Sequence, residues 1–266
     1  MSNVEFTLAE QMIVAVSEAF RNNGELLSNG IGPIARLGAS LAKKTHSPEL
    51  LISDSEAFFV EEPVPIGPRG SYKPKFSGYF PFARVFDCVW HGERHVMIGP
   101  VQIDRWGQTN LSGIGSIKQP KIMQLGLRGL PGNSINHMCS MIVMGHSKRI
   151  FVEGQVDILG GLGYRTENYP PGLNTSAINL HMMVTNLCVM DFKGPNHQVR
   201  VKWLHPGVTF EEVQEQTGFP LYRDDTLTTT PAPTAEQLAI IQALDPHNIR
   251  SKQLKDNPPG IRAAKA

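Results

Sequence analysis

Apolar residues at Leu8, Met12, Val16 and Phe20 recur every four residues, the spacing that keeps them on one face of a helix. Thr7 and Glu10 stand at the head of that run in the Thr-x-x-Glu pattern of a capping box, where each side chain satisfies a backbone N–H left open by the helix start. The pattern predicts an amphipathic helix stopping near Gly24. Residues 25–29 (ELLSN) predict a short strand. Residues 28–50 (SNGIGPIARLGASLAKKTHSPEL) predict a Gly-containing loop and a second helix, with Pro33 in the first turn, where its missing N–H costs nothing. Residues 50–53 (LLIS) predict the next strand. Strand, loop, helix, strand is a βαβ unit, which implies parallel pairing and a right-handed crossover.

Further along, residues 61–82 (EEPVPIGPRGSYKPKFSGYFPF) are too rich in Pro and Gly for a regular element and predict a long loop, a feature usually functional or part of an interface. Residues 84–92 (RVFDCVWHG) predict a short helix, and residues 95–104 and 139–154 strands with turns. Residues 181–192 (HMMVTNLCVMDF) and 197–206 (HQVRVKWLHP) predict an antiparallel pair turning at KGPN. Thr209 and Glu212 repeat the capping-box pattern and open a helix ending near Gly218. TLTTTPAPT, from Thr226, reads as a linker, AEQLAIIQALDP as a last helix stopped by Pro246, and the polar tail from His247 as frayed. The expected organisation is an α/β domain over residues 1–222, an open and mostly parallel sheet flanked by helices. Residues 223–266 supply a linker, helix and tail packed on it.

Composition narrows the function. Charged residues make up 18% of the 266, below the roughly 25% of an average globular chain. Gly and Pro are abundant, 25 and 20 residues. A loop-rich chain with little charged surface is expected to hide much of that surface in a partner. A net charge of +1 gives no electrostatic footprint for nucleic acid or an anionic membrane. No apolar run reaches the roughly 18 residues of a membrane helix, and the first ten residues lack the basic-then-apolar order of a signal peptide. Cys88, Cys139 and Cys188 lie far apart without metal-ligand spacing, so three reduced thiols and a cytoplasmic setting are expected.

Three stretches could carry chemistry. In QIDRWGQTN, strand alternation puts Gln102 and Asp104 on one face ahead of a turn at Gly107, either to shape a pocket or to accept backbone N–H bonds across that turn. In GLRGLPGNSINH, Gly129 and Gly132 flank Leu130 and Pro131, so the backbone can come close to a ligand. Arg128 is the one permanent charge there, and Asn133, Asn136 and His137 add polar groups. Such a set suits a carboxylate or thioester, or else it is a structural loop with its Arg in solvent. In LLISDSEAFF, Asp54 and Glu56 follow a strand end, close to the usual ligand crevice of an open α/β sheet, or they cap a turn and face water. Two other motifs weigh less. HGERH, residues 91–95, lacks the H-E-x-x-H spacing. GGLGY, residues 160–164, looks like a phosphate loop without its lysine.

Taken together, GPIARLGASLAKKTHSPELLIS, QIDRWGQTN, GLRGLPGN and SKRIFVEG resemble the β subunits of class I coenzyme A transferases, from about Gly24 to Phe219. The longer stretches RVFDCVWHGERHVMIGPVQIDRWGQTN, LRGLPGNSINH and DFKGPNHQVRVKWLHPGVT look most like the branch that hydrolyses a steroid-derived ring CoA ester. The resemblance implies a Rossmann-like class I CoA-transferase fold and an active site shared with an α subunit, as α2β2. True transferases of the class carry Ser-Glu-Asn-Gly, whose Glu forms covalent intermediates. Here the place reads Ser53-Asp54-Ser55-Glu56, and neither register restores the motif. The ring-hydrolase branch is similar in lacking that nucleophile, which implies that the essential carboxylate comes from the α subunit. The implied reaction is hydrolytic carbon–carbon cleavage of a cyclic keto or enone acyl-CoA. Arg128 and Asn133 would be catalytic. Gln102, Asp104, Gly129, Pro131, Gly132, Asn136, His137, Asp54 and Glu56 would line the acyl and CoA site. No metal or redox cofactor is implied, since CoA enters with the substrate. The alternatives are a transferase moving CoA between two carboxylic acids, and a non-catalytic subunit that completes a partner's pocket.

Overall fold

The structure, a computed structural model, describes residues 4–54, 58–126, 129–167 and 169–262. Its first elements are α1 (Leu8–Ala19), β1 (Leu27–Gly30), α2 (Pro33–Lys44), β2 (Ser53–Asp54), β3 (Phe58–Val60), β4 (Phe76–Tyr79), α3 (Phe82–His91) and β5 (Arg94–Ile98). Then follow β6 (Gln102–Ile103), β7 (Thr109–Asn110), β8 (Gly113–Ser116), β9 (Gln119–Met123), α4 (Leu130–Asn133), β10 (Met138–Val143) and β11 (Asn179–Thr185). Last come β12 (Cys188–Asp191), β13 (Arg200–Leu204), α5 (Phe210–Glu215), β14 (Tyr222–Thr229) and α6 (Ala235–Leu244). The chain forms two compact units: residues 1–97, 205–207 and 230–266, and residues 98–204 and 208–229.

In the first unit the capping box closes as the sequence predicts, with the Thr7 N–H donating to the Glu10 carboxylate at 2.8 Å. Met12, Val16 and Phe20 are fully buried. The helix stops at Ala19, short of Gly24, and the chain turns through Asn22 in the left-handed region. Pro33 opens α2. Its Gly38 lies against the Val16 side chain of α1, where a β-carbon would collide, so the absent side chain lets the two helices close up. β1 pairs in parallel with β5, Leu27 opposite Arg94 and Gly30 opposite Met97.

The expected strand at residues 50–53 differs. Leu51 makes only an isolated parallel bridge to Leu27. The chain then swings into a small antiparallel sheet, β2–β3–β4, where Ser53 and Asp54 pair with Phe59 and Phe58. β4 lies inside the stretch read as a loop. Its Phe76, Gly78 and Tyr79 find partners in β3, which propensity alone does not reveal. α3 ends at Gly92, φ 77°, and buries none of its residues. Phe82, Phe86 and Trp90 share one face and stay 58%, 51% and 69% exposed.

In the second unit β10 pairs in parallel with β11, β11 and β12 are antiparallel, β12 and β13 are antiparallel, and β13 and β14 are parallel. Two expectations change here. Residues 181–192 do not form one strand. They fold back at Asn186 and Leu187, because the Thr185 hydroxyl accepts the Leu187 and Cys188 N–H groups at 3.0 Å and closes the turn. The supposed linker from Thr226 is the end of β14, with Thr228 and Thr229 opposite Trp203 and Leu204. Its β-branched residues suit a strand once a neighbour is present. The KGPN turn joins β12 to β13 as expected. The core is the run Met141, Ile142, Val143, Met183, Val184, Val189, Met190 and Val201. The pairings β1–β5, β10–β11 and β13–β14 are parallel, so the α/β character holds. Among the described residues, no helix is long and apolar enough to cross a membrane.

Candidate functional site

Asp54 is 4% exposed at the end of β2. Arg69 reaches it with a fork of two N–H groups, Nη1 to Oδ2 and Nη2 to Oδ1, both at 2.7 Å. Arg36 of α2 adds a longer bond to Oδ1 at 3.5 Å. The Arg69 hydrogen bonds hold the Asp54 carboxyl below the usual carboxylate range, against the opposing effect of burial. A carboxylate fixed this way stays ionised, yet both its oxygens are taken. Attack on a thioester would break a bidentate charge-assisted pair, so the geometry suits a structural anion better than a nucleophile. Neither Arg36 nor Arg69 stands out in the sequence as a candidate site residue. Arg69 is the one Arg in the Pro- and Gly-rich stretch, and that was the available signal. Glu56 lies outside the described residues.

The second unit gathers three of the singled-out motifs. β6 and β7 form the hairpin of QIDRWGQTN, Gln102 opposite Asn110. The Asp104 Oδ1 accepts the Trp106 and Gln108 N–H groups, each at 2.9 Å. Gly107 supplies the positive φ, 78°, that the turn requires. Asp104 is fully buried, and its Oδ2 has no hydrogen-bond partner among the described residues. Burial pushes its carboxyl up to about 6, opposed by the two backbone N–H bonds. Gln102 is buried too. Its Oε1 accepts the Asn110 amide at 2.7 Å and the Asp157 N–H at 2.9 Å. Both side chains therefore brace the hairpin.

GGLGY packs on the same hairpin. Thr109 exchanges backbone bonds with Gly160 and Gly161, and Tyr164 N–H reaches the Trp106 carbonyl at 2.9 Å. A β-carbon on Gly163 would strike the backbone of residues 106–108. The run of glycines is thus a packing device, not a phosphate loop. Leu162 N–H donates to the Ser134 hydroxyl at 2.8 Å and ties in the third motif.

That third motif begins at Gly129 and runs through the single turn α4, with Asn133 N–H closing on the Gly129 carbonyl at 3.2 Å. Gly129 and Pro131 are exposed, while Gly132, Asn133 and Asn136 are half-buried. Asn136 takes the left-handed conformation, φ 68°, and its N–H bonds to the Ala177 carbonyl at 3.0 Å. His137 is buried, its Nδ1 3.0 Å from the Met138 carbonyl oxygen. The structure thus brings Gln102, Asp104 and the residues from Gly129 to His137 into one unit. Arg128 lies outside the described residues. Among those described, no three His, Cys, Asp or Glu side chains group to hold a metal ion.

Comparison with known proteins places this architecture. No family model matches the chain. The cholesterol ring-cleaving hydrolase IpdB subunit of Mycobacterium tuberculosis H37Rv is 38% identical over 250 residues, 94% of this chain and 99% of that one. In the crystal structure of Rhodococcus jostii RHA1 IpdAB, a chain 38% identical superposes with a TM-score of 0.87, covering 95% of this chain and 100% of its own length. The β subunit of the 3-oxoadipate CoA-transferase of Pseudomonas knackmussii is 28% identical over 90% of this chain and 94% of that one. With near-complete coverage in both directions, the chain belongs to the family of the ring-cleaving hydrolase IpdB subunits, whose wider relatives are CoA-transferase β subunits.

Proposed function

We propose that the chain is the β subunit of a heteromeric acyl-CoA hydrolase that opens the last ring in steroid breakdown, working with an α subunit in the cytoplasm. The observation that carries the reading is the end-to-end likeness to IpdB subunits. The arginine clamp on Asp54 supports it, because it ties up the carboxylate where a transferase would keep its nucleophilic Glu.

The substrate is a cyclic keto or enone acyl-CoA. Water adds to the ring ketone carbon, one of its protons passing to an essential carboxylate of the α subunit. The bond between that carbon and the carbon next to the thioester then breaks. Its electron pair goes to the thioester as an enolate, which takes a proton back and leaves a free carboxylic acid and an open acyl-CoA. Negative charge develops on oxygen in both steps, and fixed donors stabilise it by about 2.7–4 kcal/mol each. In this chain Arg128 fills that role, seconded by Asn133, while Asn136 and His137 shape the loop around them. CoA enters with the substrate, and no separate cofactor is required.

Co-expression with an α subunit and assay on steroid-ring CoA esters tests the proposal. Ring-opened product is expected from the pair and none from either chain alone. Arg128→Ala is expected to lower kcat by about a hundredfold with the complex still assembled. Turnover within a factor of two of the parent would remove Arg128 from the site. A CoA adduct trapped on Asp54 or Glu56 would instead restore a transferase mechanism.

A further inference from the structure

Next to the Asp54 clamp is a cavity of about 330 Å3, within the first unit. Gly30, Gly32, Arg36, Gly67, Arg69 and Ile249 are on its wall. Among the described residues, its only charged lining groups are the two arginines. Asp54 sits behind them and answers for one positive charge, mainly that of Arg69. The Arg36 guanidinium spends a single long bond on it, at 3.5 Å, and has no other hydrogen-bond partner among the described residues. Its remaining N–H groups are available to the cavity.

The backbone adds to this charge. Gly32 caps α2 at φ 94° with no side-chain cap, and a β-carbon there would meet open space. Gly32 and Pro33, at the start of this twelve-residue helix, line the same cavity as the arginines and bring the partial positive charge of the helix start to it. Gly30 could carry no side chain, because a β-carbon would collide with the Ala35 and Arg36 backbone. That contact holds the loop flat against the helix start. Gly67, at φ 85°, turns the opposite wall.

The geometry points to an oxyanion site, in which Arg36, backed by Arg69, binds an anionic group carried by the acyl-CoA. This rests on the acyl-CoA reading above and adds to it a second anchor, apart from the Arg128 loop. The chemistry fits a carboxylate on the acyl chain or a phosphate of the CoA. Asp54 acts as a positioning residue that aims Arg69 and keeps the paired cations from repelling one another.

Calorimetry on the assembled complex with unreactive CoA thioethers distinguishes the sources, with Arg36→Met as the variant, since it leaves the Asp54–Arg69 pair intact. If the site takes an acyl carboxylate, Arg36→Met weakens a succinyl-type thioether by about tenfold and leaves the neutral butyryl-type thioether unchanged. If it takes a phosphate, both thioethers weaken alike and the variant has no effect on their pantetheine counterparts, which lack every phosphate; the dephospho-CoA counterparts then tell the 3′-phosphate, where the effect vanishes, from the diphosphate, where it persists. Binding of all probes within twofold of the parent overturns the site. Because binding is read without turnover, a loss of Arg36-dependent binding in an active ring hydrolase refutes this site alone. Arg36-dependent binding in a complex that opens no ring refutes the proposed reaction alone.

Discussion

Replacing Arg69 with Met tests the Asp54 clamp, because it removes the fork and keeps most of the side-chain volume. Two 2.7 Å charge-assisted bonds to a carboxylate that is 4% exposed would be lost. Arg36, at 3.5 Å, would remain as a weak substitute. Stripping one partner from a buried pair costs about 3–5 kcal/mol, mostly by leaving a charge without compensation. The Arg69 side chain is 33% exposed, which places the expected loss for Arg69→Met near the lower end, about 3 kcal/mol. The double variant Asp54→Asn with Arg69→Met has no charge to strand and should cost about 1 kcal/mol. Urea unfolding at one fixed protein concentration, followed by circular dichroism, gives all four corners of the cycle. The double variant should therefore be more stable than Arg69→Met alone by about 2 kcal/mol, and the cost of Asp54→Asn completes the coupling energy. The pH dependence supplies a second check. Asp54 has its folded pKa lowered, so its contribution is present above the unfolded carboxylate pKa and is lost as pH falls through the folded value. That acid-side loss should shrink in Arg69→Met. A coupling below about 0.5 kcal/mol would show that the clamp contributes nothing beyond a surface ion pair.

Asp104 should behave in the opposite sense. Its carboxyl is raised from 3.8 to about 6, so the folded state binds the extra proton and the parent loses stability as pH rises from 4 to 6. Against Asp104→Asn, that loss is expected to be about 3 kcal/mol across the window, and a pH-independent difference would refute the buried charge. His146 is wedged between the Thr185 and Thr217 hydroxyls and stacked 4.0 Å from Phe151, and burial lowers its pKa from 6.5 to about 3. Its neutral form stabilises the fold above pH 6.5, and about 4 kcal/mol should be lost on acidification toward pH 3, a slope that His146→Gln flattens in acid titrations followed by circular dichroism. Gly38→Val should force α1 and α2 apart and lower stability by about 1–3 kcal/mol in urea unfolding, and an unchanged stability would refute the close contact at Val16.

The elements most legible in the sequence were those with local causes. The Thr7–Glu10 cap, Pro33 at the first turn of α2 and the Thr209 cap ahead of α5 announce themselves within four residues. What stayed hidden depends on neighbours that only folding supplies. β4 lies in a stretch dominated by Pro and Gly, and β14 in a run of threonines that suits a linker equally well until β13 lies beside it. The Thr185 turn has no Gly to mark it. The site divides the same way. That Gln102 and Asp104 share one hairpin with a turn at Gly107 could be picked from alternation, though both side chains brace that hairpin, and the loop from Gly129 to His137 could be picked from its composition. The partner of Asp54, however, is fifteen residues away in sequence across an irregular segment, and no periodicity links the two.

The uncovered aromatic face of α3 bears on how the chain behaves in a flask. Phe82, Phe86 and Trp90 offer a greasy ridge to water, and a net charge of +1 provides almost no repulsion to keep copies apart. Ammonium sulfate, which strengthens the avoidance of water by such groups, should bring the isolated chain out of solution early. Preparations will keep best in dilute salt, at a pH well away from the isoelectric point near 7.8.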